Sequence, residues 1–553
     1  MNMKILKKTE KSIKNVLEAI EATPFSLGAF SISFLALILV RMLVEAGIRD
    51  FAVEGFAFWF FEFSHTFLFF LFAFLAFLPV ARLAGASSWS RAAHLLLFGF
   101  LVIWTPPILD KLIFGDQLVW SFYELGGIAD LGRDFFSFFG DTPNMGITEG
   151  VRIEIALMTL GLGGYAFFRT RDIFRAAGIM ILTYLVFFIL GTFPSYLAIL
   201  ALAPSQGLLG VSEPEIAGYV LTPKRFLAGD MADPRMSLGI RMSIVYALLS
   251  TLVIALFLRK TAKKTFFALL GNARFPQAIW HGGLALLGMG LAGIFAQASF
   301  RLDLFEWLGI ILLVVAVESA WLASVVVNDL VDRHIDKRTN MDRPLPSGVI
   351  SETLYREIGI LFFAASLLFS GVVSMSAMLL LLAYQAVAFI YSAPPFRLKR
   401  VPLIATLLSA TAGIIVLLAG FFTVSPITDI SPIPPVILGF LFVAYAITLP
   451  LKDFKDIQGD KKDGVYTLPV ILGTERAKAV IGSALFLCYV VSPLVLRETS
   501  LILPSILFGA GAFYMLARAE GKGTGWRSFR ALPAVEMTLI VIYGFLTAVL
   551  LFR

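Results

Sequence analysis

The sequence predicts an all-α polytopic membrane protein with about 15 transmembrane helices, and three observations lead to that fold class. Hydrophobic residues make up 58% of the 553 residues, charged residues make up 15%, and the mean hydropathy is +0.86. Apolar runs of about 20 residues, the length that crosses a hydrocarbon core, recur from Phe25 to the C-terminus. The runs are continuous and do not alternate in polarity, which argues against a transmembrane β-barrel.

The candidate spans follow one another with short polar loops between them. Six N-terminal spans begin near Phe25, Phe56, His94, Ile153, Ala176 and Met242. Nine further spans begin near Ile279, Leu304, Ile358, Ala377, Leu403, Val436, Ala479, Leu501 and Ala534. We therefore expect a cytoplasmic amphipathic segment (1–24), a six-helix membrane module of unknown role (25–258), a basic cytoplasmic linker (259–277) and a nine-helix module (278–553).

The basic residues act first as topology signals. The net charge is +7, but Lys and Arg cluster in short loops between apolar runs. With the N-terminus inside, these loops all fall on the cytoplasmic side, as expected for a multi-pass protein of the cell membrane. The same clustering argues against nucleic acid as a partner.

Cysteine and histidine usage limits the kind of metal site. Cys488 is the single cysteine, so neither a disulfide framework nor a thiolate metal site can form. The four histidines are widely scattered, which argues against a zinc centre. Any metal is therefore expected to be hard and oxygen-bound.

Two acidic motifs share one spacing. They are NDLVDRHIDKRTNMDRPLPSG (328–348) and LKDFKDIQGDKKDGVYTLPVILG (451–473), and each places three aspartates at i, i+3 and i+7. On an α-helix these offsets fall within roughly 60° of one face. Each motif is therefore predicted to form a stripe of carboxylates, one of Asp329, Asp332 and Asp336, the other of Asp453, Asp456 and Asp460.

The chemistry of these stripes points to a phosphorylated substrate. Facing carboxylates repel one another unless cations lie between them, and oxygen ligands with water access favour Mg²⁺, here expected as two ions. Mg²⁺ commonly completes its shell with phosphate oxygens. Basic residues predicted on the same side could bind a diphosphate, and they are Arg343, Arg397, Lys399, Arg400 and Lys452.

A diphosphate carried on an apolar tail would suit such a site in a helical bundle. Loss of diphosphate from an allylic carbon develops negative charge on the leaving group, which metal ions and basic side chains stabilise. The resulting carbocation would alkylate a hydrophobic or amphipathic acceptor. A single motif could equally be a charged loop between helices, but two copies on one predicted side disfavour that alternative.

These motifs resemble those of the UbiA superfamily of intramembrane prenyltransferases. NDLVDRHIDKRTNMDRPLPSG is similar to the first aspartate-rich motif of that family, KDFKDIQGDKKDGVYTLPV to the second, and YSAPPFRLKR (391–400) to the segment between them. The resemblance extends from Ile279 onward. It implies a Mg²⁺-dependent prenyltransferase whose nine helices surround a lateral cavity open to lipid.

The resemblance also implies roles for individual residues. Mg²⁺ and diphosphate would be held by Asp329, Asp332, Asp336, Asp456 and Asp460, assisted by Asn328 and Arg343 and joined by Lys452 and Asp453. Many members that use aromatic acids have a Tyr-x3-Lys element, whereas here Tyr391 is followed by Pro395. Lys399 or Arg397 would replace that lysine, and Tyr391 would bind the diphosphate with them. The acceptor is expected to be aromatic or lipid-like.

Ionisable residues inside apolar spans are functional candidates by default. Glu318 lies 11 residues before Asp329, which on a helix is about 20° of rotation and about 16 Å of rise. We expect it to face the same cavity and to contact the acceptor or take its proton, with structural pairing as the alternative. In the N-terminal module, Arg41 and Glu45 stand at i, i+4 and are expected to pair.

Two other classes of protein remain open. Many spans would suit a transporter of an anionic or isoprenoid-linked substrate, although transporters usually place polar residues near the membrane midplane instead of at helix ends. A catalytically silent scaffold would not need intact aspartates. The N-terminal module carries no motif and could anchor a partner protein, deliver substrate or stabilise the bundle.

Overall fold

The structure is a computed structural model of the 553-residue chain. It describes residues 12, 14–49, 55–115, 120–121, 123–140, 145–222, 234–298, 303–427, 429–462, 466–521 and 523–551. Most of the described residues are helical. Two two-residue strands, β1 (Trp120–Ser121) and β2 (Met145–Gly146), pair in parallel.

The α-helices of the N-terminal half are α1 (Leu27–Arg49), α2 (Phe56–Ala84), α3 (Trp89–Gly99), α4 (Thr105–Phe114), α5 (Ile128–Phe136), α6 (Glu149–Thr170), α7 (Ile173–Gly191), α8 (Phe193–Gln206), α9 (Glu213–Leu221) and α10 (Pro234–Thr261). A 3₁₀ segment, Phe100–Trp104, connects α3 to α4. Residues 14–21 are also helical.

The α-helices of the C-terminal half are α11 (Lys263–Gly271), α12 (Phe275–Phe295), α13 (Leu304–Thr339), α14 (Glu352–Val373), α15 (Met375–Ser392), α16 (Pro402–Val424), α17 (Pro435–Thr448), α18 (Ile457–Lys462), α19 (Leu468–Leu472), α20 (Thr474–Leu496), α21 (Ile502–Ala517) and α22 (Leu532–Leu551). Four 3₁₀ segments, Leu398–Arg400, Leu449–Lys455, Thr499–Leu501 and Gly525–Arg527, lie between them.

The predicted all-α polytopic fold is confirmed. In the described part of the chain, 15 helical segments are long and apolar enough to cross a membrane. Their starts agree with the predicted ones, and the largest difference is at the sixth span, predicted near Met242 and beginning at Pro234. The division of the spans into six and nine stays a prediction.

The chain folds as two compact units. One contains residues 1–257 together with 303–308, and the other contains residues 258–302 together with 309–553. The stretch that was predicted as a linker is largely helical, because α10 continues to Thr261 and α11 occupies Lys263–Gly271. Only short turns therefore separate α10, α11 and α12.

Close helix packing positions the interior of the second unit. A Cβ atom added to Gly288 of α12 would lie 1.8 Å from the Leu417 carbonyl oxygen of α16, and one added to Gly420 would lie 1.9 Å from the Ala285 oxygen. The two backbones approach so closely that both positions require glycine. Small residues at such crossings are a common basis of helix association in membranes.

The length of α13 places the first acidic motif at the end of the bundle. This helix has 36 residues and is therefore about 54 Å long, well beyond the ~30 Å hydrocarbon core. Its last turns carry Asn328 to Asp336, which can then stand at the membrane boundary while the apolar part of the helix spans the lipid.

Candidate functional site

The first acidic motif lies on a single helix, as predicted. Asn328, Asp329, Asp332 and Asp336 all belong to the last turns of α13, which continues to Thr339. An uninterrupted α-helix keeps the i, i+3 and i+7 positions on one face. The three carboxylates nevertheless contact different partners.

Asp329 is a buried hub that accepts four side-chain hydrogen bonds. Its residue is 2% exposed, and Oδ2 accepts from Asn272 Nδ2 at 2.6 Å and from the Tyr355 hydroxyl at 3.0 Å. Oδ1 accepts from Arg274 at 2.9 Å and from Arg343 at 3.3 Å. These contacts tie α13 to the end of α11, the turn after it, α14 and the loop after α13.

Asp336 shares Arg343 with Asp329. The guanidinium of Arg343 donates to Asp336 Oδ2 at 2.6 Å, and Asn340 Nδ2 donates to Oδ1 at 2.9 Å. Arg343 thus bridges two carboxylates that are about two helical turns apart on the same helix face. The loop after α13 is folded back onto that face by these contacts.

Asp332 is held by two basic residues from the segment between α15 and α16. Arg397 donates to Oδ1 at 2.7 Å, and the Lys399 ammonium donates to Oδ2 and also to Asn328 Oδ1, the latter at 2.9 Å. Arg397 adopts a left-handed backbone conformation with φ 47° at the start of the 3₁₀ turn Leu398–Arg400. Burial lowers the pKa of the Lys399 ammonium, and the Asp332 carboxylate opposes that shift.

The first motif is therefore neutralised by the protein itself. Its three carboxylates contact four basic side chains, namely Arg274, Arg343, Arg397 and Lys399. The sequence-based argument that a bound metal must relieve repulsion among these carboxylates is thus wrong for the first motif. Any metal bound there would have to share or take over carboxylate oxygen atoms that already accept hydrogen bonds from other side chains in this structure.

The second acidic motif does not form the predicted α-helical stripe. Leu449–Lys455 is a 3₁₀ helix with Pro450 in its first turn, Asp456 follows it, and a short α-helix, α18, begins at Ile457. Proline lacks an N–H donor and disfavours a continuous α-helix at this point. Asp453 and Asp456 still share a face, because a 3₁₀ helix has three residues per turn. The side chain of Asp460 lies outside the described residues.

Asp453 and Asp456 of the second motif have few partners among the described residues. Asp456 is exposed, and its nearest cation is Lys455 at 3.9 Å. Asp453 is partly buried and lies within electrostatic range of Lys452 and Asp456. Compared with the first motif, this pair is better placed to accept an incoming cation.

Lys452 connects the second motif to the first. Its ammonium lies within electrostatic range of Tyr391, Asp453 and Arg274. Arg274 in turn donates to Asp329. The structure therefore brings Lys452 and Tyr391, both predicted as diphosphate-binding residues, into one neighbourhood with residues of the first motif.

Glu318 faces α12 in the interior of the second unit. A Cβ atom on Gly282 would lie 3.2 Å from Glu318 Oε1, so glycine leaves room for the carboxylate. The neighbouring His281 stacks on Trp321 at 4.7 Å, and the Tyr384 hydroxyl lies 3.4 Å from its Nε2. A polar, aromatic cluster thus lies beside Glu318.

A cavity beside Lys452 opens between α12, the 3₁₀ helix Leu449–Lys455 and α22. Its lining combines apolar and polar side chains, namely Pro276, Gln277, Trp280, His281, Tyr445, Thr448, Leu449, Leu451, Lys452, Pro533, Glu536, Met537 and Ile540. Tyr489 donates to Glu536 at 3.2 Å. The cavity suits a molecule with an apolar body and a polar head.

Three residues of the site were not singled out from the sequence. Asn272 and Arg274 belong to the stretch that was predicted as a linker, where the arginine was interpreted as a topology signal, and Tyr355 lies in the first turn of α14. The only available signal was an Asn and an Arg directly before an apolar run. Their role follows from contacts with Asp329 that only the folded chain shows.

The donor chemistry of the site fits Mg²⁺, although the described geometry is not that of a formed metal centre. Among the described residues, no group of three or more His, Cys, Asp or Glu side chains is arranged to hold a metal ion. The candidate ligands are carboxylate and amide oxygens, the type that Mg²⁺ prefers. Among the described side chains, such oxygens are carried by Asn328, Asp332, Asp336, Asp453 and Asp456.

Comparison with known proteins gives matches that agree on one family. Residues 284–539 match the sequence model of the UbiA prenyltransferase family. Digeranylgeranylglyceryl phosphate synthase of Thermococcus sibiricus is 29% identical over 175 residues, which cover 31% of this chain and 58% of that enzyme. The enzyme of the same name from Methanopyrus kandleri is 26% identical over 271 residues, 48% of this chain and 95% of that enzyme. A UbiA homologue from Archaeoglobus fulgidus, solved with GPP and Mg²⁺, aligns with TM-score 0.39 and 21% identity, covering 51% of this chain and 99% of that one.

Proposed function

We propose that residues 284–539, which match the sequence model of the UbiA prenyltransferase family, form a domain that transfers a prenyl group from a prenyl diphosphate to a lipid-like acceptor with Mg²⁺. The carbon–oxygen bond between the allylic carbon and the diphosphate breaks, and the diphosphate leaves with the electron pair. A nucleophilic atom of the acceptor then bonds to that carbon and loses its proton. The observation that supports this most directly is the convergence of Arg397 and Lys399 on Asp332 at the end of α13.

Substrate binding at this site would give the basic side chains new partners. Arg397 and Lys399, with Arg343 and Lys452 nearby, would turn from carboxylates to the diphosphate oxygens and stabilise the charge that develops on the leaving group. Asp332 would then be released as an oxygen ligand. Bound Mg²⁺ would supply further positive charge to the diphosphate. The proposed metal ligands are Asp332, Asp336, Asp453, Asp456 and Asp460, with Asn328.

The acceptor is proposed to be a glycerol-phosphate lipid. The curated relatives carry the name digeranylgeranylglyceryl phosphate synthase, which describes a prenylated glyceryl phosphate. The cavity beside Lys452 supports this choice, because a lysine, a glutamate and a histidine line it together with apolar side chains. An aromatic acceptor is the alternative that was left open from the sequence.

The decisive experiment is a defined reaction with the purified full-length chain in lipid nanodiscs. Prenyl diphosphates of several lengths are supplied with Mg²⁺ and either a prenylglyceryl phosphate or a hydroxybenzoate, and products are identified by mass spectrometry. We expect Mg²⁺-dependent diphosphate release and a prenylated glyceryl lipid. In sealed proteoliposomes, movement of the substrate across the bilayer without diphosphate release would instead support a transporter.

Orientation is also proposed. The acidic motifs and the N-terminus are placed in the cytoplasm, because basic residues accumulate at the same helix ends. Asp342 is exposed in the loop after α13. In a variant with Cys488 replaced by alanine, Asp342→Cys should react with an impermeant maleimide only in inside-out vesicles. Reaction in right-side-out vesicles would contradict this orientation.

Replacing Lys399 should weaken donor binding. Lys399→Met removes a cation that contacts both Asp332 and Asn328, and the loss of a charged hydrogen bond of about 1.5–3 kcal/mol predicts a KM for prenyl diphosphate raised about 10- to 100-fold. Lys337→Met, at an exposed position of the same helix end, serves as the control. An unchanged KM for Lys399→Met would remove Lys399 from the diphosphate site.

Glu318 is expected to act on the acceptor and not on the donor. Glu318→Gln keeps the size of the side chain beside Gly282 but cannot take a proton, so turnover with acceptor should fall about a hundredfold. Diphosphate release in the absence of acceptor should not change. The control is Glu475→Gln, whose side chain is 82% exposed. Equal turnover by wild type and Glu318→Gln would leave Glu318 with a packing role.

A further inference from the structure

Four arginines of the N-terminal unit meet at one turn of the chain, residues 83–88, at the junction of α2 and α3. They come from the last turn of α2, the first turn of α3, the last turn of α6 and the first turn of α7, and they are Arg82, Arg91, Arg169 and Arg175. We call these four residues the arginine surface. Because α6 and α7 are remote from α2 and α3 in sequence, only the folded chain brings the four together.

Arg91 and Arg175 are exposed and are held at this turn by hydrogen bonds. Arg175 donates to the Leu83 carbonyl oxygen through Nε at 3.2 Å and through Nη2 at 2.7 Å. Arg91 donates to Ser87 Oγ at 2.9 Å, and its side chain is 48% exposed. Each guanidinium has five N–H donors, so both arginines keep donors for a ligand that approaches from outside.

Arg82 and Arg169 complete the arginine surface. Arg82 donates to the Ala86 carbonyl oxygen, and its guanidinium lies over the Trp89 ring at 5.4 Å. A Cβ atom on Gly85 would lie 2.9 Å from the Cβ atom of Arg169, so this arginine packs directly against the turn. All four arginines therefore contact the same short segment of backbone.

Glu21 already places one anionic group on the arginine surface. It lies at the end of the helical residues 14–21 and is 3% exposed. Its Oε1 accepts from the Tyr165 hydroxyl at 2.8 Å and from Arg169, and its Oε2 lies 3.9 Å from Arg91. A carboxylate of the protein is thus bound by one side of this surface, mainly by Arg169.

Positive charge exceeds negative charge at this place. Among the described residues, Glu21 is the only carboxylate in contact with a guanidinium of the arginine surface. Asp172 accepts from backbone N–H groups at the start of α7 and directly follows Arg171, so these two add no net charge. Arginines stay charged, and like charges repel one another at a membrane boundary. Orientation in the membrane requires basic residues on one side but not their convergence on one turn, so the arrangement indicates a site for a further anion.

Apolar side chains flank the arginine surface. Leu83 and Phe174, which are 55% and 86% exposed, directly follow Arg82 and directly precede Arg175 in the chain. Trp89, over which Arg82 lies, is of a residue type that is enriched at membrane–water interfaces. Basic side chains beside exposed apolar ones match a lipid with an anionic head group and acyl chains, and basic pockets at helix ends bind such head groups. A free phosphate ion would use the charged part alone.

We propose that the arginine surface binds the phosphate group of an anionic phospholipid. Arg91 and Arg175 donate to the phosphate oxygens, and the other two arginines add positive charge from the turn. The acyl chains lie along Leu83 and Phe174. This assigns a lipid site to a unit that carries no sequence motif, and the inference is independent of the prenyltransferase reaction of the other unit.

Photochemical cross-linking in nanodiscs tests the proposal with a defined lipid. The full-length protein is reconstituted in phosphatidylcholine with a small fraction of phosphatidylglycerol that carries a photoreactive group near its head, and adducts are located by peptide mass spectrometry. We expect adducts within residues 83–91 and 171–175, suppressed by unlabelled phosphatidylglycerol but not by inorganic phosphate. Photoreactive phosphatidylcholine should label these residues at least about tenfold less. Suppression by inorganic phosphate would overturn the lipid as occupant, and equal labelling by the two lipids would overturn an anion site.

Matched variants separate lipid binding from folding. Arg91→Gln combined with Arg175→Gln should lower the phosphatidylglycerol adducts about 10- to 30-fold, because each basic residue near the membrane surface contributes to the attraction of anionic lipid. Arg91→Lys combined with Arg175→Lys keeps both charges and should keep most of the adducts. Arg133→Gln is the control, since its side chain is 72% exposed and pairs with Asp130. The proposal is overturned if the double Gln variant is labelled like wild type, or if the double Lys variant loses the adducts as completely as the double Gln variant.

Discussion

Replacing Asp332 by asparagine is expected to lower kcat/KM for prenyl transfer by about three orders of magnitude. Asp332 holds Arg397 and Lys399 in this structure, and it is the first-motif carboxylate that those residues would release on substrate binding. The substitution removes an oxygen ligand for Mg²⁺ and also leaves the two cations without their partner. Losing a single preorganised electrostatic contact to a transition state commonly costs about 10²–10³ in rate, and here two functions are lost together.

The effect of Asp332→Asn should be chemical and not structural. Its side chain is 14% exposed and contacts the segment between α15 and α16, and the single amide oxygen of asparagine can still accept from one of the two donors. Thermal unfolding should therefore shift little. Asp342→Asn, at an exposed acidic position in the next loop, should keep full activity. Comparable rates for the two variants would refute the proposed site.

The membrane architecture could be predicted from sequence because hydrocarbon leaves few alternatives. A run such as Phe56–Ala84 has to satisfy its backbone internally, so its length and composition nearly determine a helix. The 3₁₀ segment Phe100–Trp104, which interrupts the α-helix of the span Trp89–Phe114, was not predicted. A hydropathy profile does not report which backbone carbonyl groups are hydrogen-bonded. Within that segment, the Ile103 carbonyl oxygen accepts a hydrogen bond from Arg41, which lies on another helix.

The acidic motifs show where reasoning from spacing succeeds and where it fails. For Asp329, Asp332 and Asp336 the i, i+3, i+7 pattern correctly predicted one helix, because no residue in that stretch of α13 opposes helix formation. The same pattern after α17 was interpreted in the same way, but Pro450 favours a 3₁₀ turn there. The spacing of residues in the sequence determines which of them share a face only when the backbone conformation, α-helical or 3₁₀, is known.

The partners of the carboxylates could not be predicted at all. Asn272 and Arg274 are 57 and 55 residues from Asp329 in sequence, and they come from a stretch with the composition of a topology signal. A basic residue near a membrane boundary satisfies the orientation rule whether it contacts lipid headgroups or a buried aspartate. Only tertiary contacts distinguish these two uses.

The contacts of Asp329 raise a choice between two roles. The resemblance to the family implies a metal ligand, whereas a carboxylate that is 2% exposed and accepts from four side chains has little free capacity for an ion. As a positioning residue it would instead keep Arg274 and Arg343 at the site. Both roles predict a loss of activity on substitution, so activity alone does not separate them.

Asp329→Asn is therefore expected to reduce stability as well as activity, and added Mg²⁺ should not restore either. Removing one member of a buried ion network costs about 3–5 kcal/mol, and the low end applies because Arg274 and Arg343 are 29% and 23% exposed. The unfolding temperature should fall clearly below that of Asp336→Asn, since Asp336 has fewer partners. Tyr355→Phe, which removes a single donor to Asp329, should give a smaller loss of stability of about 1 kcal/mol.

A metal ligand would behave differently, because weakened binding can be offset by a higher ion concentration while the protein without metal keeps its stability. Recovery of Asp329→Asn activity by excess Mg²⁺, with an unchanged unfolding temperature, would therefore identify Asp329 as a metal ligand and not as a positioning residue.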